Sequence, residues 1–511
     1  MGDFASVHHT DGLHPLHFPA ILKENISKGC KEKAMTDCKL RAKNCGGCPL
    51  LGLDYAAQLK QKEEKVRTLV GKYGPVRPIR GMQQPWHYRN KAIATFAPAP
   101  GGKVTTGIYA AGTHKVLPAE DCLLQDAVLN KTLLAVRQAA NACRYAPFNE
   151  DKGTGLLRHC LVRRGVVTGQ VMVVLVTAQP VLPGAKNFIR ALLEAAAARE
   201  VTVTTVVQNY NPRRTSAVLG TQEKVLYGKG FILDELCGKR YAISPRSFYQ
   251  VNPVQTAVLY GLAVDAAHLT GKETVLDAYC GIGTIGLTAA DRCKQVLGVE
   301  VNRDAVQDAI GNARHNGVRN ARFVAADATA WMLDAAQQGL KADVVFMDPP
   351  REGSTPQFLQ SLARLSPRRV VYVSCNPETL ARDLAQLTAL GYRVQEITPV
   401  DMFPHTEHVE TVVLLSKGEV DSNKVRVEFS LEDMDMSGFQ KGATYEQIKE
   451  YVLEKHGLKV SSLYISQVKR KCGLDVGQNY NLSKKEDAKV PQCPPEKEAA
   501  IMEALKHFQM L

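Results

Sequence analysis

The sequence predicts an α/β protein whose largest part is a doubly wound, mostly parallel sheet. From residue 244 to 418, short apolar runs typical of strands alternate with helical stretches of about 10–15 residues, which is the pattern of βαβ units. From 86 to 243 strand-like runs dominate, and two helical stretches interrupt them, which is typical of an α+β domain. Amphipathic helix patterns fill 424–511, so we expect a small helical module there.

The doubly wound region contains seven strand-like runs. They are ETVLDAYC, QVLGVEVN, ARFVAAD, ADVVFMDPP, RRVVYVSCNP, VQEITPVDMF and HVETVVLLSK. Helical stretches lie between the earlier runs, and this order predicts a Rossmann-like topology. Ligands of such sheets bind beyond the carboxyl ends of the strands, so side chains at those ends are the candidates for a functional site.

The remaining segments differ in character. We expect a loose tail over 1–30 and, within a cysteine-rich segment at 31–85, an exposed helix over 55–74. The α+β domain at 86–243 carries basic residues that we expect in solvated loops. These are Arg89, Lys91, Arg163, Arg164, Arg213 and Arg214.

Composition narrows the class of protein. The 511 residues are 45% hydrophobic and 23% charged, which is ordinary for a globular protein. No apolar run approaches the ~20 residues that span a bilayer, and the first residues do not resemble a secretory signal. We therefore expect a cytoplasmic protein without membrane contact. The net charge of +13 lies within 1–420, because 421–511 holds 14 basic and 14 acidic residues. A basic body of this kind favours a polyphosphate partner such as RNA.

The cysteines do not form a disulfide scaffold. There are 13, and Cys38, Cys45 and Cys48 are bunched in CKLRAKNCGGC. In a reducing compartment such a cluster is more typical of a metal or redox site than of a bridge.

The glycine-rich turn after the first strand of the sheet predicts a nucleoside pocket. Gly281, Gly283 and Gly286 in LDAYCGIGTIGL allow a ligand to approach the backbone. Glu300 ends the next strand about 20 residues later, where an acid can bind ribose hydroxyls. Asp327 ends the third strand, near the expected adenine. Acids at successive strand ends without a pyrophosphate cradle favour S-adenosylmethionine over NAD.

The fourth, fifth and last strands carry the candidate reaction centre. Asp348 stands in MDPPREG, where Arg351 occupies the position that is aromatic in related turns of N-methyltransferases. Cys375 follows the fifth strand in VSCNPETL, and we expect the start of the next helix to lower its pKa. Glu410 begins the last strand in HTEHVETVV and is a plausible general base.

These groups suit methylation of a pyrimidine at C5. That carbon is a poor nucleophile until a thiolate adds to C6 and turns C5 into an enolate carbon. A base must then remove the C5 proton so that the thiol can leave. A bound methyl donor, a cysteine and a carboxylate are the minimal set.

At these residues the chain resembles the uracil-5-methyltransferases of bacterial RNA. The motifs SFYQVNPVQTAVLY, LDAYCGIGTIGL, DPPREG, VSCNPETLARDL and HVETV stand in that family's order, and the match covers about 38–416. The resemblance implies a methyltransferase domain over 244–418, Cys375 as nucleophile and Glu410 as proton acceptor. It implies these contacts to S-adenosylmethionine: Gln250, Tyr279, Thr284, Glu300, Asp327 and Asp348.

The resemblance also concerns the cysteine-rich segment. Cys38, Cys45 and Cys48, with Cys122 as fourth ligand, look like the [4Fe–4S] ligand set of the ribosomal RNA branch. Four thiolates suit zinc equally well. The tRNA branch generally lacks this set, so we expect 23S ribosomal RNA as substrate and a monomeric enzyme, with a tRNA enzyme or a non-catalytic RNA-binding factor as alternatives. The residues before Cys38 are too few for the β-barrel that many members carry, which leaves the target uridine open.

The target base must leave its stack to meet both a thiolate and a methyl group. We expect basic and aromatic side chains of the α+β domain to hold the RNA. They are Trp86, Tyr88, Arg89, Tyr210, Arg213 and Arg214.

Overall fold

A computed structural model describes residues 38–213, 217–417, 445–472, 474, 492–508 and 510. The predicted tail at 1–30, residue Arg214 and the segment 424–444 therefore lie outside the described residues. The chain divides into two compact units, Met1–Glu419 and Val420–Leu511. Among the described helices, none is long and apolar enough to cross a membrane.

The first unit contains two seven-stranded sheets and a two-stranded hairpin. The strands are β1 (Lys91–Ala99), β2 (Lys103–Tyr109), β3 (Val116–Pro118), β4 (Leu157–Arg164), β5 (Val171–Thr177), β6 (Val203–Tyr210), β7 (Gln222–Tyr227), β8 (Ile232–Leu236), β9 (Lys239–Ile243), β10 (Thr274–Ala278), β11 (Gln295–Glu300), β12 (Ala321–Ala325), β13 (Val344–Met347), β14 (Arg369–Ser374), β15 (Tyr392–Val400) and β16 (Glu410–Lys417). The helices are α1 (Tyr55–Val70), α2 (Ala127–Ala142), α3 (Ala185–Ala197), α4 (Pro253–Ala266), α5 (Thr284–Ala289), α6 (Arg303–His315), α7 (Ala328–Gln337), α8 (Pro356–Leu365) and α9 (Pro377–Ala389).

The amino-terminal sheet has the order β3-β2-β1-β4-β5-β6-β7 and is antiparallel except between β5 and β6. Sequence patterning missed β4 because charged residues interrupt its apolar run. The expectation that Lys91, Arg163 and Arg164 lie in loops is wrong, since Lys91 begins β1 and the two arginines belong to β4. Arg163 is 2% exposed, and its guanidinium donates to the carbonyls of Ser244 and Ser247.

The carboxyl-terminal sheet has the order β12-β11-β10-β13-β14-β16-β15. Strands β10 to β14 are parallel, which confirms the Rossmann-like prediction, whereas β16 is antiparallel to both of its neighbours. All seven predicted strands are present. Because β16 runs in the opposite direction, it begins at the edge where β13 and β14 end, and this places Glu410 at the carboxyl edge of the sheet.

Helix caps fix the turns at this edge. Asn302, Asp327, Thr355 and Asn376 each accept a backbone N–H in the first turn of the helix that follows, and α8 and α9 both start with proline. The strands β13 and β14 are buried almost throughout, as expected for parallel strands covered by helices on both faces.

Helix α1 contradicts the expectation of an exposed helix. Gln58, Lys62, Val66 and Val70 are buried, and the two valines belong to the same apolar cluster as the strands of the carboxyl-terminal sheet. The segment after the helix continues along that sheet, because Arg77 and Arg80 donate backbone hydrogen bonds to β15. Residues 55–80 therefore pack directly on the carboxyl-terminal sheet.

The second unit consists of α10 (Tyr445–His456), α11 (Ser462–Lys471) and α12 (Pro495–His507). Their apolar faces share one small core that contains Ile448, Ile465 and Ile501. The amphipathic pattern predicted these helices.

Candidate active site

The register of three strands brings the candidate reaction centre together. Ser374 of β14 pairs with Thr411 of β16, so the next residues at the edge are Cys375 and Glu410. Met347 of β13 pairs with Tyr372 of β14, and Asp348 follows Met347 at the same edge. Residues that lie up to 62 positions apart in the sequence therefore meet on adjacent strands.

The pKa shifts show that Cys375, Glu410 and Asp348 interact electrostatically. Burial, with Asp348 as the next cause, raises the pKa of the Glu410 carboxyl to about 8, and Glu410 is only 3% exposed. Burial likewise raises the pKa of Asp348 to about 7. The three ionisable groups cannot all be charged at neutral pH without strong mutual repulsion.

The pKa of Cys375 moves in the direction opposite to our expectation. Burial raises it to about 11, with Glu410 and Asp348 adding to the rise. The prediction of a lowered pKa from the helix start was wrong, because loss of hydration and two nearby carboxyl groups outweigh a partial charge at the start of α9. The side chain of Cys375 is therefore a thiol at neutral pH.

Arg351 is part of this centre, although sequence reasoning gave it only a negative role. Its guanidinium lowers the pKa of both Cys375 and Glu410. The Arg351 carbonyl also accepts hydrogen bonds from Asn376 (3.3 Å) and Thr379 (3.2 Å), which joins the Asp-Pro-Pro turn to the turn that carries the cysteine. The side-chain charge is the signal that could have found it, since a cation near an acid and a thiol favours the ionised form of each.

The glycine-rich turn forms a cradle at the end of β10. Gly281 has φ +54°, and a Cβ built there would meet no atom within 4 Å, so a ligand has room at this point of the backbone. The Gly286 N–H donates to Asp277 Oδ2 at 2.8 Å, and a Cβ at Gly286 would collide with that carboxyl oxygen. Asp277 lies inside β10 and is buried, and its carboxylate holds the turn.

Two acids predicted to bind the cofactor, Glu300 and Asp327, accept hydrogen bonds from backbone N–H groups. Glu300 accepts N–H groups from Gly281 (3.1 Å) and Asn302 (2.8 Å), which fixes its carboxylate beside the cradle. Asp327 caps α7 through the Ala330 N–H and is exposed, so its cap role is established. Each carboxylate keeps lone pairs for a ligand.

The other predicted cofactor residues surround the same edge. Tyr279 adopts φ +65° and stacks on Phe358 with ring centroids 5.0 Å apart. Thr284 begins α5, and its hydroxyl lies 3.1 Å from that of Tyr260. Gln250 is 8% exposed, and its backbone carbonyl accepts a hydrogen bond from the Asn90 side-chain amide. These residues follow or flank the ends of the strands.

Sequence reasoning missed two exposed apolar residues. Phe248 is 66% exposed although Tyr249 and Gln250 after it are buried. Val301 is 73% exposed directly after Glu300. Each stands within two residues of a predicted ligand residue, Gln250 or Glu300, and that position is the signal that could have found it.

The four predicted metal-ligand cysteines line one cavity of about 240 Å³. Burial, followed by the charges of Cys122, Cys45 and Cys38, raises the pKa of Cys48 to about 12, so the four thiols lie close enough to influence one another. Within the described part of the chain, no three His, Cys, Asp or Glu side chains are arranged to hold a metal ion. Arg89 and Lys91 line the same cavity.

The described residues among those predicted to hold RNA differ in their exposure. Trp86 stacks on His405 with ring centroids 3.8 Å apart, and Tyr88 is buried and donates to the Pro404 carbonyl. Tyr88 therefore packs inside the protein, contrary to the expectation that it meets RNA, whereas Trp86 is half-buried. Arg213 is exposed, and Tyr210 pairs within the amino-terminal sheet at the end of β6.

Comparison with known proteins agrees with this geometry. A model of the tRNA (uracil-5-)-methyltransferase family matches residues 220–418. An RNA methyltransferase of Bacillus cereus, itself uncharacterized, is 43% identical over 411 residues, which are 78% of this chain and 88% of that protein. An uncharacterized RNA methyltransferase of Caldanaerobacter subterraneus is 41% identical over 74% of this chain and 83% of its own length.

Among solved structures, the tRNA (uracil-54, C5)-methyltransferase of Pyrococcus abyssi in complex with S-adenosyl-L-homocysteine superposes with a TM-score of 0.60. It is 30% identical and covers 73% of this chain and 84% of its own. The family match includes all the strand ends that meet at the candidate site. The chain therefore belongs to the tRNA (uracil-5-)-methyltransferase family, whose members are RNA methyltransferases that use S-adenosylmethionine.

Proposed function

We propose that this protein forms 5-methyluridine in 23S ribosomal RNA, with Cys375 as nucleophile and Glu410 as base. The observation that carries the proposal is the placement of these two side chains next to each other, at the paired ends of β14 and β16. A nucleophile and a base must both reach one pyrimidine ring, at C6 and C5 respectively. Because C5 and C6 are bonded to each other, the base and the nucleophile must also be close together. The antiparallel pairing of β14 with β16 brings Glu410 opposite Cys375.

The first step is addition of Cys375 to C6 of the uracil. The thiol loses its proton to the Asp348 carboxylate, so that Glu410 stays ionised for the second step; the sulfur forms a bond to C6, and the C5–C6 π electrons move toward O4. Arg351 favours this step because its positive charge lowers the pKa of the thiol. Bound S-adenosylmethionine supplies an electrophilic methyl group. C5 forms a bond to that methyl carbon, and S-adenosylhomocysteine leaves.

The second step is elimination. Glu410 removes the proton from C5, the electrons of the C–H bond restore the C5–C6 double bond, and the sulfur leaves C6. The pKa of about 8 suits this role, since a base of that strength is partly ionised at neutral pH and still has a strong affinity for the proton.

The cradle residues fit the methyl donor. The open space at Gly281 leaves room for a ligand against the backbone, and we assign the remaining lone pairs of Glu300, whose carboxylate accepts the Gly281 N–H, to the ribose hydroxyls. We assign Gln250, Tyr279, Thr284, Asp327 and Asp348 to the same pocket. Val301 is in position to cover the adenine, and Phe248 to stack on a base of the RNA.

The four cysteines support the further proposal that the segment binds a [4Fe–4S] cluster. Four thiols around one cavity are a suitable donor set, and Arg89 and Lys91 would offset the negative charge that four thiolates bring. Zinc suits the same donors. Methyl transfer needs no electron, so the role that we assign to the cluster is structural. We further propose that the enzyme acts as a monomer.

The test of the mechanism is a pair of substitutions with a matched control. Cys375→Ala should abolish methyl transfer, whereas Cys143→Ala, which removes a half-buried thiol of the amino-terminal domain, should not. Glu410→Gln should accumulate a covalent RNA adduct that survives denaturing gels, because addition proceeds and elimination stalls. Full activity of Cys375→Ala would refute the mechanism.

A tRNA substrate is the second candidate function, favoured by the known specificity of the Pyrococcus abyssi relative. Nucleoside analysis of separated 23S RNA and tRNA from cells with and without the gene distinguishes the two. We expect 5-methyluridine to be lost from 23S RNA. Its loss from tRNA alone would assign the protein to the tRNA substrate.

A further inference from the structure

The loop between β15 and β16 has an unusual set of hydrogen bonds. Residues 401–405, which we call the clamped loop, form no helix or strand. The backbone carbonyl oxygen of each of these five residues accepts a hydrogen bond from a different residue. The donors are Gln255 to Asp401 (3.0 Å), Asn252 to Met402 (2.9 Å), Lys62 to Phe403 (3.0 Å), Tyr88 to Pro404 (3.1 Å) and the Leu50 N–H to His405 (3.1 Å). The loop ends five residues before Glu410.

A buried ion pair fixes the start of the clamped loop. Lys62 Nζ of α1 lies 2.6 Å from Asp401 Oδ1, and the two side chains are 2% and 0% exposed. The Tyr55 hydroxyl donates to the other Asp401 oxygen at 2.8 Å and itself accepts the Met82 N–H. Both carboxylate oxygens of a fully buried acid are therefore satisfied by α1.

The end of the clamped loop is held in a strained conformation. His405 has φ +66°, which a residue with a side chain rarely adopts without support from its surroundings. Gln58 of α1 supplies that support, because its oxygen accepts the His405 N–H at 3.0 Å and its nitrogen lies 3.1 Å from Nδ1. Trp86 stacks on the imidazole ring with an interplanar angle of 21°.

We propose that α1 and the segment 86–88 position Glu410 for removal of the C5 proton, with Gln58 and Tyr88 as positioning residues. This inference rests on the proposed function and adds a task for the amino-terminal segment. Five hydrogen bonds to the carbonyl groups of five consecutive residues are more than a connection between two strands requires. Residues 406–409 join this loop to the strand that begins with Glu410. The turn that carries Cys375 is held by hydrogen bonds from Asn376 and Thr379 to the Arg351 carbonyl, and neither Gln58 nor Tyr88 takes part in these bonds.

This separation predicts that the clamp affects one chemical step. Gln58→Met and Tyr88→Phe remove bonds to His405 and Pro404 and leave the contacts of the cysteine turn in place. Addition and methyl transfer should proceed at the wild-type rate, and elimination should slow. A shift of a catalytic group by about 1 Å can cost 10²-fold, so we expect elimination to slow by about 10- to 100-fold.

The experiment follows both steps in a single turnover with full-length protein and the RNA that nucleoside analysis identifies. One readout is the denaturation-stable RNA adduct, and the other is release of 5-methyluridine product. The control is Gln395→Met, an exposed glutamine of β15 outside the clamp. A second substrate carries 5-fluorouridine, which has no C5 proton, so its adduct forms through addition and methyl transfer but cannot be eliminated.

We expect both clamp variants to accumulate adduct on the natural RNA, and to form the 5-fluorouridine adduct at the rate of the wild type and of Gln395→Met. Wild-type product release from both variants would overturn the clamp. Slower formation of the 5-fluorouridine adduct would also overturn it, because the substitutions would then act on the whole fold. Absence of that adduct in the wild type would instead refute the proposed covalent mechanism.

Discussion

The elimination step should depend on pH through Glu410. Burial and Asp348 raise the pKa of this carboxyl to about 8, and only the ionised form can accept the C5 proton. Because the pKa is raised, the active form is gained as the pH rises. With a pKa of about 8, the ionised fraction is about 9% at pH 7, about 50% at pH 8 and about 91% at pH 9. Elimination should therefore accelerate about fivefold from pH 7 to 8 and less than about twofold from pH 8 to 9.

The assay isolates elimination from addition. Adduct is allowed to form on natural RNA, and its disappearance is followed after a jump to each pH. The Arg351→Gln variant gives an internal test of the cause, because the Arg351 charge lowers the pKa of Glu410. Its loss should move the midpoint of the profile to higher pH and slow elimination at pH 7.

Two results would refute this reasoning. A rate of elimination that is constant from pH 6 to 9 would show that Glu410 is ionised throughout or is not the base. A midpoint that moves to lower pH in Arg351→Gln would show that the arginine does not act on the carboxyl through its charge.

Further outcomes can be measured without RNA. Lys62→Met leaves Asp401 buried without its cation, which should lower the free energy of unfolding by about 3–5 kcal/mol in denaturant titrations. Lys60→Met on the exposed face of the same helix should change it by less than about 0.5 kcal/mol, and equal effects would contradict the importance of the buried pair. Cys48→Ser should remove most iron and acid-labile sulfide from protein purified without oxygen, and Cys143→Ser should not. Zinc in both the wild type and Cys143→Ser would contradict the cluster. Alkylation of the Cys375 peptide should rise about tenfold per pH unit between pH 7 and 10, since its pKa is about 11, and a rate that levels off near pH 8 would contradict that value.

The sequence predicted the doubly wound region well because its signal is local. Each of the seven strands is a short apolar run that ends in a turn residue, and the helices between them carry caps such as Asn302 and Asn376. Burial on both faces makes such strands apolar throughout. In the amino-terminal sheet, β4 was not predicted from the sequence. Its Arg163 is buried because the guanidinium donates to the carbonyl groups of residues 244 and 247, which are distant in the sequence.

The environment of the predicted site residues depended on contacts that sequence does not reveal. The helix after Cys375 is visible in NPETL, and so a lowered pKa is expected; the opposing effects come from Asp348 and Glu410, on other strands. Trp86 and Tyr88 are residue types expected in an RNA-binding loop, but both contact the clamped loop, and Tyr88 is buried there.

By itself, then, the order of residues determined which segments become strands and helices and which chemical groups stand at strand ends, because backbone periodicity and capping act over a few neighbours. The tertiary structure decided that β16 runs antiparallel, and thereby that a carboxyl near the end of the domain faces a thiol from an earlier strand. It also decided the protonation of that pair and the packing of α1 on the loop before Glu410. Desolvation and charge interactions act through space, and only the assembled fold brings the groups within their range.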